Sequence, residues 1–463
     1  MSGRASPARR AAYEVLRRVF EHGAWADRAF GAAAERHRLG QRERGQAQRL
    51  AYGAVQRRGT ADHLIEELSG RSAERLDPPV AAALRLGLFE LLFASATPDH
   101  AATDQAVELA KGGMRGERRA RAGSGLVNAV LRRAAREREV LLAALGDATA
   151  ADAAIAHSYP GWLAEMWWRE LGPADARSLM AAMNEAAETA VRANSLRVEA
   201  TALEHELRDA GQRMPRPTGP ALLTPPEALV LAGPLTEAAR RLLSRGDLVA
   251  QSRASQAVVA ILDPRPGERV LDLCAAPGAK ATAIAARIGN RGEVVAVEVD
   301  RGRASQLREL SARAGASAVR VVEADAAGDD FGGGYDRILV DPPCSDLGTL
   351  AARPDARWRK SPELSARLAG LQDAILRRAA RSLRPGGTLT YSTCTISSRE
   401  GGERIRALLA ADPALEADDL GGAHPELAAP GDARFLQTRP DRDRTDGFFI
   451  ARVRRRRGSA PER

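Results

Sequence analysis

The chain has 463 residues, a formal net charge of +9, an isoelectric point near 10.1 and 28 % charged residues. That length holds two or three domains with cores of their own, and the basic balance favours a polyanionic partner over a membrane. Three cysteines at no metal-site spacing argue against a disulfide framework or a metal centre. Five arginines in the first twenty residues argue against a secretory leader, and no run approaches the ~20 apolar residues of a membrane span, so a cytoplasmic protein is expected.

The charge is unevenly spread. Residues 1–140 hold 25 Lys and Arg against 17 Asp and Glu, so +8 of the +9 sits in the first third. Three lysines against 66 arginines explain the Arg/Lys ratio but not this clustering. Residues 8 to about 140 read as helices. Ala11, Val15, Leu16 and Val19 share one face, with Arg9, Arg10, Arg17 and Arg18 off it. Val80, Leu84, Leu88 and Leu91 repeat the spacing, as do Leu126, Val130 and Ala134 after a start at Gly123-Ser124-Gly125. Between them, Lys111–Arg121 is basic and glycine-rich with little to bury. A solvated helical bundle is the plain explanation. The sharper one is an RNA-binding module, residues 1–145, with Arg115, Arg118, Arg119 and Arg121 on phosphates.

A polar connection near 145–151 leads to a second piece, residues 150–245, expected to be a small α+β insert. Trp162, Trp167 and Trp168 sit on a short helix, where aromatics are more often core than ligand platform. Ala190–Val198 alternates like a strand, a helix covers Ala200–Ala210, and a linker carries Pro215, Pro217, Pro220, Pro225 and Pro226.

Residues 246–455 alternate strand and helix, the pattern of a doubly wound α/β domain. The expected strands are Arg269–Leu273, Val294–Val299, Val319–Glu323, Arg337–Val340, Thr388–Ser392 and Phe448–Val453. The expected helices are Ala279–Arg287, Gly302–Arg313 and Leu364–Ser382, the last stopped by Arg384-Pro385-Gly386-Gly387. Arg454–Arg457 reads as a basic tail, with residues 456–463 disordered.

The stretch Val270–Ile284 organises this domain. A buried strand, a turn of small residues and a helix make the opening of a nucleotide-binding unit, whose helix N-terminus faces a ligand. It lacks both the three-glycine dinucleotide fingerprint and the P-loop Gly-Lys-Ser/Thr, so a dehydrogenase is disfavoured and another nucleoside-bearing ligand is implied. Ligands bind beyond the carboxyl ends of such strands. Cys274, Glu298 with Asp300, Asp325, Asp341 with Cys344, and Cys394 fall at five of these ends. Each alone has a dull explanation, since buried cysteines act as small hydrophobes and loop aspartates cap helices.

The segments DLCAAPGAKA, LVDPPCSDLG, YSTCT and DGFFIARV, in that order, resemble the motifs of the RNA cytosine-5 methyltransferases of the Sun/NOL/NOP family. Arg353-Pro354-Asp355 with Trp358 matches that family's stretch after the fourth strand, and Arg192-Ala193-Asn194 resembles its Arg-x-Asn motif. The run Gly125–Arg132 resembles a NusB-like RNA-binding domain. The resemblance covers nearly the whole chain. It implies a Rossmann-like domain using S-adenosylmethionine, an RNA substrate with 16S ribosomal RNA foremost, and a monomer. It also implies methylation of cytosine C5 through a covalent cysteine–C6 adduct. That carbon is too weak a nucleophile to attack a methyl sulfonium until a thiolate adds at C6. By resemblance, Cys394 is the nucleophile, Asp341 supports N3, and Cys344 assists breakdown of the adduct. The loop Cys274, Ala275, Ala276, Pro277, Gly278, Ala279 and Lys280 wraps the methionine part of the cofactor. Glu298 binds its ribose, Asp325 its adenine, and Asp341 borders it. Arg192 and Asn194 contact RNA.

The chain departs from the pattern in places. Asp341-Pro342-Pro343-Cys344 replaces Asp-Ala-Pro-Cys, moving toward a motif of amino-methyltransferases that stack the base on an aromatic ring, which Cys344 cannot do. Ala279 replaces a usual glycine, and Asp346 stands where the family often has a small residue. Asp441 and Asp443 stand where many relatives carry histidines. The alternatives are an RNA-binding assembly or antitermination factor with a vestigial methyltransferase fold, and a methyltransferase acting on tRNA.

Overall fold

The first helix, Pro7–His22, begins where Ser6 accepts a hydrogen bond from the Arg9 N–H and proline takes the first helical position; Gly23, at φ +66°, closes it. In the computed structural model, which describes residues 5–94 and 97–458, the chain divides into two units. One comprises Met1–Glu185 with Leu350–Arg359, the other Ala186–Thr349 with Lys360–Arg463.

The first unit is all α-helical. Ala11, Val15, Leu16 and Val19 are buried as their spacing predicts, together with Val80, Leu84, Leu88 and Leu91. Arg9, expected off the apolar face, is instead buried and bonds Glu90 with its Nη2 2.7 Å from Oε2. A buried guanidinium is tolerable because the carboxylate neutralises it and accepts its hydrogen bonds. Gly123-Ser124-Gly125 does not start a helix but lies inside Glu117–Arg136. A Cβ on Gly123 would meet Met114 Sδ at 2.5 Å and Val80 Cγ2 at 2.8 Å, so close packing, not chain entry, requires the glycine.

This unit extends further than expected. Helices Ala150–His157, Gly161–Leu171 and Pro173–Ala182 belong to it, so the expected insert at 150–245 is split at Glu185. Thr60 Oγ1 donates to the Ile155 carbonyl at 2.6 Å and Ser158 Oγ accepts from the Gly59 N–H at 2.8 Å. Trp167 is fully buried, its ring edge-on to Tyr159. The stretch Leu350–Arg359 also folds here. Arg357 is wholly buried, donating to the Ser158 and Met183 carbonyls and to Asn184 Oδ1, and it lies 4.0 Å over the Tyr159 ring. Trp358 Nε1 donates to the Val55 carbonyl at 2.8 Å. The Arg353–Trp358 motif is thus an anchor within the helical unit.

The second unit carries two sheets. In the smaller, β1 (Thr189–Ala193) runs antiparallel between β2 (Ala228–Leu231) and β3 (Leu248–Ala250). It is shorter than the Ala190–Val198 expected, because the chain turns at Asn194. The larger sheet contains, among the described residues, β4 (Arg269–Leu273), β5 (Glu293–Glu298), β6 (Val319–Glu323), β7 (Tyr335–Val340), β8 (Leu383–Thr393), β9 (Leu415–Ala417), β10 (Ala428–Ala429), β11 (Asp432–Gln437) and β12 (Phe449–Arg455). Its order is β10-β11-β12-β8-β7-β4-β5-β6, with β9 on β12. Strands β8 through β6 in that order are parallel, and β12 is antiparallel to β8. The chain runs outward from β4 to β6 and returns to β7 on the other flank, so the carboxyl ends of β4 and β7 border the crevice of a topological switch point.

The sequence spacing locates β4, β6 and the helix Ala279–Arg287 to the residue. The helix Pro362–Ser382 ends at Ser382 as expected, and Arg384-Pro385-Gly386-Gly387 follows it inside β8, with Gly386 at φ +78° making the bend. The expected basic tail is instead part of the fold at its start: β12 runs to Arg455, which is buried and bonds the Ala380 carbonyl and Asp412, and the Arg456 N–H donates to the Ala414 carbonyl at 2.9 Å. Residues 459–463 of the expected tail lie outside the described residues. No helix among the described residues is long and apolar enough to cross a membrane.

Candidate active site

The loop after β4 is built to leave its backbone open. Gly278, at φ +109°, caps the helix Ala279–Arg287 with no side-chain bond to the first N–H groups, and a Cβ there would strike Leu307 at 2.6 Å. An uncapped helix N-terminus at a strand end favours an anionic or polar ligand group. The loop is fixed from beside and below: the Ala275 N–H donates to the Val297 carbonyl at 2.8 Å, and Arg303 Nη2 to the Ala276 carbonyl at 2.8 Å. Cys274, at φ +63°, has its thiol pushed up by burial and by Asp341, Glu298 and Asp272, so it is held neutral and unreactive.

Glu298, at the end of β5, is buried. Its Oε1 accepts from the Asp300 N–H at 3.0 Å; among the described residues the buried Oε2 has no hydrogen-bond partner, and Arg303 lies 3.6 Å from it. A buried carboxylate oxygen left open at a strand end fits a hydroxyl donor of a ligand. Asp325, beyond β6, is exposed and accepts from the Ala327 N–H at 2.9 Å.

At the end of β7, Asp341 Oδ2 accepts from Lys280 Nζ at 2.6 Å and Oδ1 from Ser392 Oγ at 2.9 Å. Burial pulls the Lys280 ammonium down, but the attraction and hydrogen bond of Asp341 more than offset it, so its pKa lies above the ordinary lysine value. Beside them is a group whose role the sequence did not reveal. Asp272, the fourth of the five residues of β4, is buried, and among the described residues neither of its oxygens has a hydrogen-bond partner. Burial, and then Asp341, push its pKa up to about 8, with Lys280 pulling the other way. Its one sequence signal was a charge inside an otherwise apolar strand.

The two remaining cysteines converge. Cys344 Sγ and Cys394 Sγ are 3.3 Å apart, and Asp346 Oδ1 lies 3.1 Å from Cys394 Sγ and 3.7 Å from Cys344 Sγ. Lys360 Nζ bonds the other oxygen of Asp346 at 3.0 Å. The hydrogen bond with Cys344, burial, and the charges of Cys344, Asp346 and Asp341 raise the Cys394 pKa well above the ordinary thiol value, so it rests as a thiol. Glu400, buried and equally unforeseen from sequence, holds the Cys344 loop. It accepts from the Ser345 N–H, Gln372 Nε2 and Ser365 Oγ. Gly348 and Gly447 bring two motif loops together: the Gly447 N–H donates to the Gly348 carbonyl at 2.8 Å, and a Cβ on either would collide with its neighbours. Asp441 and Asp443 pair with Arg439 and Arg442, which gives that loop a structural role.

Arg192 and Asn194 are not placed to touch RNA. Arg192, 3 % exposed, donates to Gln251 Oε1 and Thr282 Oγ1; Asn194, 1 % exposed, donates to the Gly246 and Ala314 carbonyls. Burial in a satisfied network, which lowers the Arg192 pKa to about 10, makes them struts between the small sheet and its neighbours. In the helical unit Arg115, Arg118, Arg119 and Arg121 are exposed. The last three lie on the opening turns of Glu117–Arg136 instead of in a loop, and Arg119 pairs with Asp77 at 3.9 Å.

Residues 259–454 match the family described as 16S rRNA methyltransferase RsmB/F, and residues 6–136 match the NusB family. The chain is 32 % identical, over 97 % of its length and 99 % of the other's, to a Synechocystis protein named probable ribosomal RNA small subunit methyltransferase B. To the ribosomal RNA small subunit methyltransferase B of Thermus thermophilus it is 34 % identical, covering 98 % of both chains. Among solved structures it is similar to PH0851, with a TM-score of 0.77 and 26 % identity over 96 % of this chain and 98 % of that one.

Proposed function

The chain belongs to the RsmB/F family of 16S rRNA methyltransferases, and from that premise we propose that it methylates C5 of a cytosine in 16S ribosomal RNA, with S-adenosylmethionine as donor and Cys394 as covalent nucleophile. The observation that carries this reading is the pair of thiols 3.3 Å apart at the ends of β7 and β8, on the rim that also holds Lys280–Asp341.

The residues of the rim fit the donor. The loop Cys274–Lys280 would hold its methionine part through open backbone N–H groups, Glu298 its ribose hydroxyls through the unpartnered Oε2, and Asp325 its adenine. Bound there, S-adenosylmethionine supplies an electrophilic methyl group. Cys394 attacks C6 of the cytosine, which makes C5 electron-rich. Asp341, bonded to the Lys280 ammonium, supports N3 as charge develops there. Cys344 helps break the adduct once C5 has lost its proton. The target base must leave any stack to reach this rim, which favours single-stranded or loop cytosines.

Parallel incubations with methyl-labelled S-adenosylmethionine and either small-subunit ribosomal RNA or tRNA, followed by nucleoside analysis, test the reading. Label in 5-methylcytidine supports it. Label in another nucleoside, in tRNA alone, or in none overturns it, and binding of RNA with no transfer favours an assembly factor.

A further inference from the structure

Attack by Cys394 requires its proton to go somewhere, because the site holds this residue as a neutral thiol. Among the described residues, Cys344 Sγ at 3.3 Å and Asp346 Oδ1 at 3.1 Å lie within hydrogen-bonding reach of its sulfur. Of the two, only a carboxylate is an effective proton acceptor near neutrality. Asp346 is held for that task. Its second oxygen is bonded at 3.0 Å by the Lys360 ammonium, one of the three lysines in a chain otherwise supplied with arginine, and Oδ1 faces the sulfurs. Its backbone sits at φ +55°, in the left-handed region that aspartate tolerates along with glycine and asparagine.

We propose that Asp346 is the base that accepts the Cys394 proton as the sulfur attacks, with Lys360 as its positioning residue. The inference rests on the reading of Cys394 as the nucleophile. In the step, the S–H bond breaks and its proton moves to Asp346 Oδ1, while the sulfur electron pair forms the Sγ–C6 bond. The displaced π pair moves through C4 to N3, which takes a proton from the Lys280–Asp341 pair. When the adduct collapses, the C5 proton passes to water, its electron pair re-forms C5=C6, and the sulfur leaves with the C6–S pair; Asp346 then returns the proton to the sulfur, and N3 returns its own to the Lys280–Asp341 pair.

The position permits a clean test, since Asp346→Asn and Asp346→Gly both suit a positive φ and are expected to fold at least as well as the parent. Both variants should lose about 10²- to 10⁴-fold in single-turnover methyl transfer at pH 7, the usual contribution of a general base. The deficit should shrink as pH rises and hydroxide ionises the thiol. Lys360→Met should lose less, and Lys360→Arg should recover most of that loss. Alkylation of Cys394 by iodoacetamide, mapped by peptide mass, should be unchanged or faster in Asp346→Asn, because a negative charge that opposes the thiolate is gone. Slow transfer with intact alkylation is the signature of a lost base. Methyl transfer in Asp346→Asn at or above the parent rate across pH 6–9 overturns the proposal. A Cys394→Ala variant that still transfers methyl groups removes instead the nucleophile reading on which it stands.

Discussion

Lys280 Nζ lies 2.6 Å from Asp341 Oδ2, joining the first turn of the helix after β4 to the end of β7 across the switch-point crevice. The pair makes one rim out of two motif loops. It also places a positive charge near Asp272, whose buried carboxyl has no other compensation among the causes that set its pKa. Without that ammonium two carboxylates would face each other in a poorly solvated space.

Asp272 sets a pH dependence. Its folded-state pKa of about 8 exceeds the ordinary 3.8, so the folded chain binds a proton more tightly than the unfolded one between those values. The stability it contributes is full below about pH 4 and is lost as pH rises toward 8. Asp272→Asn should therefore stabilise the protein more at pH 8 than at pH 4. Urea unfolding at the two pH values measures the difference. Equal effects at both would place the perturbed group elsewhere.

Glu298→Ala should weaken binding of S-adenosylmethionine by about 10- to 150-fold, the loss of one or two charge-assisted hydrogen bonds. RNA affinity should barely move. Calorimetry with an unaltered cofactor affinity would transfer the ribose contact to Asp300 or another group.

Much of this was legible in the sequence, for reasons that differ by element. Strand β4 reads clearly because a strand buried on both faces is a continuous apolar run, and Gly278 because the turn after it needs a positive φ. Strands β10 and β11 were missed: one is two residues long and the other opens with Asp432, Ala433 and Arg434. Cys344 and Cys394 were visible as motif residues, but their separation of 3.3 Å depends on two strands pairing fifty residues apart in sequence. Asp346 stood out only as a departure from a pattern. Its contact with Cys394 could not be read from spacing.

Arg192 and Asn194 show the opposite case, a motif whose residues work inside the fold. Arg192→Ala should lower stability by about 2–4 kcal/mol, since it leaves Gln251 and Thr282 without a buried donor. RNA affinity of the folded variant should match the parent. A large loss of RNA binding with no loss of stability would restore a direct contact.

The exposed arginines of the helical unit make a distinct prediction. Each phosphate contact released changes the slope of log K against log[salt] by ~0.7–0.9. Replacing Arg115, Arg118, Arg119 and Arg121 together with serine should weaken RNA binding and flatten that slope by about two to four units. Cofactor affinity should stay as it was. An unchanged slope would make these side chains a solvated surface.

The covalent adduct tests the central claim most directly. Cys344→Ala, incubated with ribosomal RNA and S-adenosylmethionine, should accumulate a protein–RNA species that survives denaturing electrophoresis, while Cys394→Ala should form neither the adduct nor methylated RNA. An adduct retained in Cys394→Ala, or two variants that lose activity alike with no adduct in either, would contradict the assignment of the two thiols.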